Sequence, residues 1–201
     1  MATTPASSGR RERNKQQKLD RITAAARELF TEYSVEEVTT QQIADKADIG
    51  TGTLFLYVKS KGELLLLIQN SLYAEALARG RASAEETEDA LEAVLAIIRP
   101  VVECNRVHTD NGRTYLREMV FGDPEEPRHA EALAIVGKTE QAVAEVLRRD
   151  GLRDSADAAT LARTTSALMF MSMAASVNAG HDADQVLADI REQLAVVLVR
   201  R

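Results

Sequence analysis

One cysteine in 201 residues, Cys104, excludes an intrachain disulfide and a paired-cysteine metal site, and it fits a reducing cytoplasm. Histidine is nearly as scarce: His108, His129 and His181 are scattered, with no ligand-like spacing and no H-E-x-x-H. A G-x-S-x-G elbow and a Walker-type phosphate loop are also missing. Gly50-Thr51-Gly52 is a fragment of a glycine pattern with no strand ahead of it. Cys104 stands four residues before His108 and can face it along one helix, yet a catalytic pair also needs a cleft and an orienting group. The expectation is a protein that is not an enzyme and holds no metal or cofactor. Long apolar runs are lacking too. The most apolar window, Leu64 to Ile68, has five residues, too few to span a bilayer. Residues 1–9 carry no apolar core of a signal peptide, so a cytoplasmic protein with no membrane partner is expected.

What the chain does have is unevenly placed charge. The net charge of −6 argues against a protein that coats nucleic acid nonspecifically. Residues 1–18 nevertheless hold Arg10, Arg11, Arg13, Lys15 and Lys18 against Glu12 alone. Residues 1–62 carry ten basic and eight acidic side chains, a net of +2, which leaves −8 for the remainder. A cationic end on an acidic body suits a protein that touches phosphate with one region only. The plainer reading of residues 1–14 is a flexible, solvated basic tail.

Thr39 to Glu63, TTQQIADKADIGTGTLFLYVKSKGE, is the segment with a chemical signature. Thr39 and Gln42 form a T-x-x-Q capping box, so a helix starts just after Thr39. Ile43, Ala44 and Ala47 give it an apolar face with small residues where a second helix approaches. Asp48 sits at a turn, where Asp tolerates a left-handed backbone. With Gly50 as N-cap, Ile49 and Leu54 are the partners of a hydrophobic staple. Ser60 and Glu63 make another capping box, which limits the middle helix to about Thr51 to Val58. Upstream, Leu19, Ile22, Ala26, Leu29, Phe30 and Tyr33 recur at helical spacing from about Lys15 to Tyr33. Together these elements make a helix-turn-helix head over residues 15–62.

AAARELFTEY, VTTQQIADKADIG, GTLFLY and KSKGELL, in this order and without a gap, resemble the N-terminal domain of the tetracycline-repressor (TetR) family over Leu19 to Leu67. The departures are Ser34, Asp48, Gly50, Phe55, Val58 and Gly62, where the family's usual residues are a glycine, a glycine, a serine, a tyrosine, an aromatic and a glutamate. Phe55 lacks the hydroxyl that often reaches a phosphate in that family. The resemblance implies an all-α protein of about nine helices: three in the head, a connector, and a helical effector-binding and dimerisation domain over 63–201. It implies a homodimer on a palindromic operator of double-stranded DNA, released by a small-molecule effector, and most simply a repressor.

Periodicity places the body helices. Helix four is expected from Lys61 to Arg79, stopping at Gly80. Ser83 and Glu86 cap helix five, with a kink at Pro100. Helix six starts near Asp110 and runs to about Phe121, before a loop marked by Gly122, Pro124 and Pro127. Helix seven ends at Gly151, helix eight runs from Ser155 to about Ala179, and Asp182 with Gln185 caps helix nine.

Candidate site residues follow. Thr51 and Thr53 are best placed for base edges, as hydroxyls that donate or accept and methyls that meet thymine. Thr40, Gln41, Tyr57, Lys59 and Lys61 are expected to hold phosphates, with Gly52 and Phe55 on the same surface. Arg10, Arg11 and Arg13 either reach a minor groove or screen charge. For the effector cavity the resemblance points to Tyr73, Cys104, His108, Tyr115, Glu118, Met119, Phe121 and Phe170, each of which also reads as core or surface. For the dimer it points to Met169, Met173, Val177, Leu187, Ile190, Leu194 and Val197. The apolar width of helices eight and nine equally fits an ordinary core. The competing class is a helical protein-interaction scaffold without DNA binding.

Overall fold

Short polar side chains at helix starts decide most of the boundaries in this chain. The computed structural model describes residues 6–123, 125–149 and 154–198, as nine α-helices, one short 3-10 turn and, among the described residues, no strand. The chain divides into two units, residues 1–68 and 69–201, so the boundary falls inside a helix rather than at residue 62.

In the first unit, α1 covers Ala6–Glu32, α2 Thr40–Lys46 and α3 Thr51–Leu54, and α4 (Lys61–Glu85) begins here. Residues 6–14, expected as tail, continue α1; residues 1–5 and the side chains of Arg10 and Arg11 lie outside the described set. The capping box at α2 is formed: Thr39 Oγ1 accepts from Gln42 N, and Gln42 Oε1 accepts from Thr39 N. Asp48 takes φ 51°, the left-handed value its place in the turn required. α3 is shorter than expected. Beyond Leu54 the backbone tightens into turns, with Leu56 N bonded to Thr53 O and Tyr57 N to Leu54 O. Ile22, Ala26 and Phe30 of α1 are buried with Val38, Ile43, Leu54, Val58, Leu64 and Leu65, which makes one small core. Leu54 is the buried half of the staple; Ile49 is half-buried.

In the second unit, α4 runs on to Glu85 and is followed by α5 (Ala90–Arg106), α6 (Thr109–Phe121), α7 (Pro127–Arg148), α8 (Ser155–Ala174), a 3-10 turn at Ser176–Asn178, and α9 (Ala183–Val197). Gly80 does not end α4. A Cβ there would stand 2.3 Å from the carbonyl oxygen of Ile97, so the glycine lets α4 and α5 cross at backbone contact. Ser83 and Glu86 accordingly cap nothing, and Asp89 caps α5 by accepting from Glu92 N. His108, Glu126 with Pro127, Asp154 and Asp182 start α6 to α9 in the same way, the last with its full capping box. α8 ends at Ala174, five residues short of the expected Ala179. Pro124, Gly151 and Val199 lie outside the described residues. α5 is the central element, packed against α6, α7, α8 and α9, while α7 and α8 form the most extensive pair. Among the described residues no helix is long and apolar enough to cross a membrane.

Candidate nucleic-acid interface and effector cavity

The head is braced by two cations. Arg21 of α1 reaches the far side of the turn, donating to the carbonyl oxygens of Ala47 and Asp48 and pairing with the Asp48 carboxylate at 3.1 Å. Lys61 of α4 donates to the carbonyl oxygens of Val35, Glu36 and Val38, at 2.6, 3.3 and 2.8 Å. The three protons of an ammonium are matched by those acceptors, which corrects the expectation that Lys61 holds a phosphate. Nothing in the sequence flags Arg21, whose partners lie 26 and 27 residues away.

Between these braces α2 and α3 are joined by a side-chain bridge. Thr51 Oγ1 donates to Gln41 Oε1 at 2.5 Å, and Gln41 Nε2 donates to Asp45 Oδ1 at 2.7 Å. Thr40, Thr51, Thr53 and Tyr57 are half-buried, whereas Gln41, Gly52, Phe55 and Lys59 are exposed. Phe55 is 51% and Leu56 79% exposed, a pair of large apolar side chains that the head leaves bare. Leu56 was not among the expected site residues. Gly52 has nothing within 4 Å of where a Cβ would stand, so packing inside the head does not require a glycine there. Tyr57 and Leu56 also border a groove of about 480 Å³ with Glu12, Asn14, Lys15 and Lys18 of α1. The structure thus puts basic residues of α1 beside the α3 turn. The N-terminal charge asymmetry hinted at this, but only the helical start at Ala6 makes it definite.

The second unit encloses an apolar cavity of about 310 Å³ between α4, α5, α6, α7 and α8. Tyr73, Tyr115, Met119 and Phe170 line it, and so do Met169 and Met173, which were expected at a dimer interface. Tyr73 and Tyr115 stack with ring centroids 4.7 Å apart. Their hydroxyls are engaged behind the stack: Asn105 Nδ2 donates to Tyr73 at 2.8 Å, and Tyr115 donates to Asn70 Oδ1 at 2.9 Å. Asn70 in turn donates to the Arg128 carbonyl at 2.9 Å, tying α4 to α7. Burial raises both phenol pKa values, and the neighbouring Cys104 adds to the rise.

The other cavity candidates lie elsewhere. Cys104 is half-buried outside the lining. His108 caps α6, its Nδ1 accepting from Asn111 N at 3.4 Å. Glu118 is half-buried and 3.7 Å from Arg117, and Phe121 is 79% exposed. Of the remaining dimer candidates, Leu187, Ile190 and Leu194 are 4%, 0% and 0% exposed within the single chain, so they belong to its own core. Val197 is half-buried. Val177 stays outside, 82% exposed, together with Met171 at 60% and Val196 at 77%. Among the described residues no group of three His, Cys, Asp or Glu side chains is placed to hold a metal ion.

Residues 22–68, which hold α2, α3 and the Lys61 brace and begin one residue after Arg21, match the family model for bacterial regulatory proteins of the tetR family. The head is thus similar to the DNA-binding domain of that family. Solved structures extend the likeness in fold over most of the chain. FadR from Thermus thermophilus, described as a TetR-family transcriptional repressor in complex with lauroyl-CoA, is 26% identical, with a TM-score of 0.68 over 90% of this chain and 95% of its own. A TetR transcriptional regulator from Rhodococcus sp. RHA1 gives 18% identity and a TM-score of 0.67, covering 93% and 98% of the two chains. FadR from Bacillus subtilis, in complex with stearoyl-CoA, gives 17% and 0.61, covering 88% and 97%. No curated protein matches the chain.

Proposed function

We propose that this protein is a homodimeric, sequence-specific DNA-binding regulator, in its simplest form a repressor, that a small apolar ligand releases from a palindromic operator. The single observation behind this reading is the α3 start: an exposed glycine with no packing role, flanked by Thr51 and Thr53, just after a turn that Arg21 braces from behind. A backbone held rigid and left bare suits close approach to a duplex. Thr51 and Thr53 are then the base-edge readers, and Thr40, Gln41, Tyr57 and Lys59 hold phosphates. Lys15 and Lys18 of α1 add phosphate contacts beside Tyr57.

A twofold dimer presents two such turns, so the half-sites repeat at ~34–36 Å or a multiple of it. Met171, Val177 and Val196 are the exposed apolar side chains on the α8–α9 part of the body that a second copy would cover. The apolar cavity takes the effector, and the lauroyl-CoA complex of the Thermus protein supports a ligand that carries an acyl chain. Release requires that the ligand bind the DNA-incompetent state better; a coupling of about 5–150-fold is typical. The cytoplasm is the fitting compartment.

Binding to genomic fragments at several salt concentrations tests the proposal. Protection of one palindrome, with affinity falling steeply as salt rises, is the expected result. Failure on every fragment at low salt and without ligand favours a helical scaffold that binds a partner protein.

A further inference from the structure

The cavity between α4 and α8 is graded from closed to open. Among its lining residues, Tyr73, Val101, Tyr115 and Met173 form the closed part and are at most 4% exposed, while Leu133, 47% exposed, and the exposed Arg163 and Ala167 mark where it opens. The closed end has little to offer a polar ligand group. Its two hydroxyls are already bonded to Asn105 and Asn70, and a polar group buried there without a partner is costly. An apolar tail fits that end.

The open end carries two charges, Arg163 on α8 and Glu140 on α7. They form no ion pair with each other. Among the described residues Arg163 has no acidic partner; its contact is a long one, Nη2 to Thr160 Oγ1 at 3.4 Å. Most of its five donors therefore remain for a ligand. Ser166, three residues on, lines the same opening and adds a hydroxyl on the same helix face. Two donors on α8 outweigh the single acceptor at Glu140, and a guanidinium fork matches a carboxylate or a phosphate.

We propose, building on the reading of this cavity as the effector site, that its ligand is an amphipathic anion: an apolar chain runs in against Tyr73 and Tyr115, and a negatively charged head is held by Arg163 at the opening. A free fatty acid and an acyl thioester of a phosphorylated carrier share that chemistry. Glu140 opposes the head.

Calorimetric titration of the full-length protein tests this with dodecanoate, lauroyl-CoA, dodecanol and dodecyltrimethylammonium, each below its micellar concentration. At least one anion binds, one per chain and about tenfold or more tighter than the neutral alcohol, with the cation weakest. The winner of the two anions identifies the head group. Affinity rises about fourfold per added methylene until the tail meets the stacked tyrosines. Arg163→Gln weakens the anion about tenfold and leaves dodecanol unchanged, while Glu140→Gln tightens the anion. Arg163 is exposed, and Glu140, half-buried at the opening, keeps the size of its side chain on change to Gln, so the fold survives either substitution. The proposal is overturned if dodecanol or the cation binds as well as the anions, or if Arg163→Gln weakens dodecanol and dodecanoate alike. It is also overturned if no probe binds; intact operator binding in that case leaves the regulator reading standing.

Discussion

Lys61 Nζ lies 2.8 Å from the carbonyl oxygen of Val38 and 2.6 Å from that of Val35, across the loop between α1 and α2. The ammonium thus closes the head on itself. Hydrogen bonds to a charged donor are worth more than neutral ones, so Lys61→Met should destabilise the head by about 2 kcal/mol. The midpoint of urea unfolding, followed by circular dichroism, measures it. The salt dependence of operator binding should keep its slope in that variant. Lys59 is exposed and its side chain is the better phosphate ligand. Lys59→Ala should leave stability alone and flatten the plot of log affinity against log salt by about one unit. An exchange of these two phenotypes would reverse the assignment.

Gly52 costs the head something that packing does not return. Glycine inside a helix is roughly 0.5–1 kcal/mol less favourable than alanine, and a Cβ at Gly52 meets nothing within 4 Å. Gly52→Ala is therefore expected to leave the head equally or slightly more stable and to weaken operator binding about tenfold or more, because the added methyl stands where the duplex approaches. Thermal unfolding and a binding isotherm on the same preparation separate the two effects. Unchanged operator affinity in a folded variant would move the contact surface away from the α3 start.

Local chemistry was legible before any coordinates, and long-range chemistry was not. The capping boxes at Thr39–Gln42 and Asp182–Gln185 involve residues three apart, so spacing alone exposes them. The left-handed turn at Asp48 belongs to the same class. Gly80 was misread because a helix stop and a helix crossing both call for glycine, and only the carbonyl of Ile97 distinguishes them. Lys61 was misread for a related reason: its acceptors sit 23 to 26 residues upstream. α8 is apolar on more than one side. Its Met169 and Met173 turn inward to the cavity while Met171 faces out, and composition cannot tell those sides apart. The fold class and the head were therefore readable, whereas the cavity lining was half readable and the exposed α8–α9 surface scarcely so.

Two body glycines should respond to alanine with opposite sign. At Gly80 the new methyl carbon would lie 2.3 Å from Ile97 O and 2.9 Å from Ile97 C, backbone atoms that cannot rotate away. Gly80→Ala must part α4 and α5, and overpacking of this kind costs about 1–3 kcal/mol. Gly137 is exposed in the middle of α7 with nothing within 4 Å, so Gly137→Ala should stabilise by up to about 1 kcal/mol. Paired thermal melts decide the matter. If both variants melt lower, the crossing at Gly80 is not what distinguishes them.

Alkaline pH offers a readout of the tyrosine stack. Burial raises the pKa of Tyr73 well above the usual phenol value, and it raises that of Tyr115 as well, with Cys104 adding to both. In the unfolded chain a tyrosine ionises near pH 10. The folded state thus favours the neutral phenol, and its contribution to stability is fully present below about pH 10. Above that value the unfolded state loses protons that the folded state keeps, so stability falls as pH climbs toward the folded pKa values. Stability measured by urea unfolding should therefore be flat through neutral pH, as far as these two groups govern it, and decline in strong alkali. Tyr73→Phe removes one ionising group and should make that decline shallower, whatever it does to stability at neutral pH. Near-ultraviolet absorbance should show the missing phenol in the step that accompanies unfolding, with the earlier part of the titration unaltered. A loss from the earlier part instead would mean that Tyr73 meets solvent in the folded protein and that the closed end of the cavity is open.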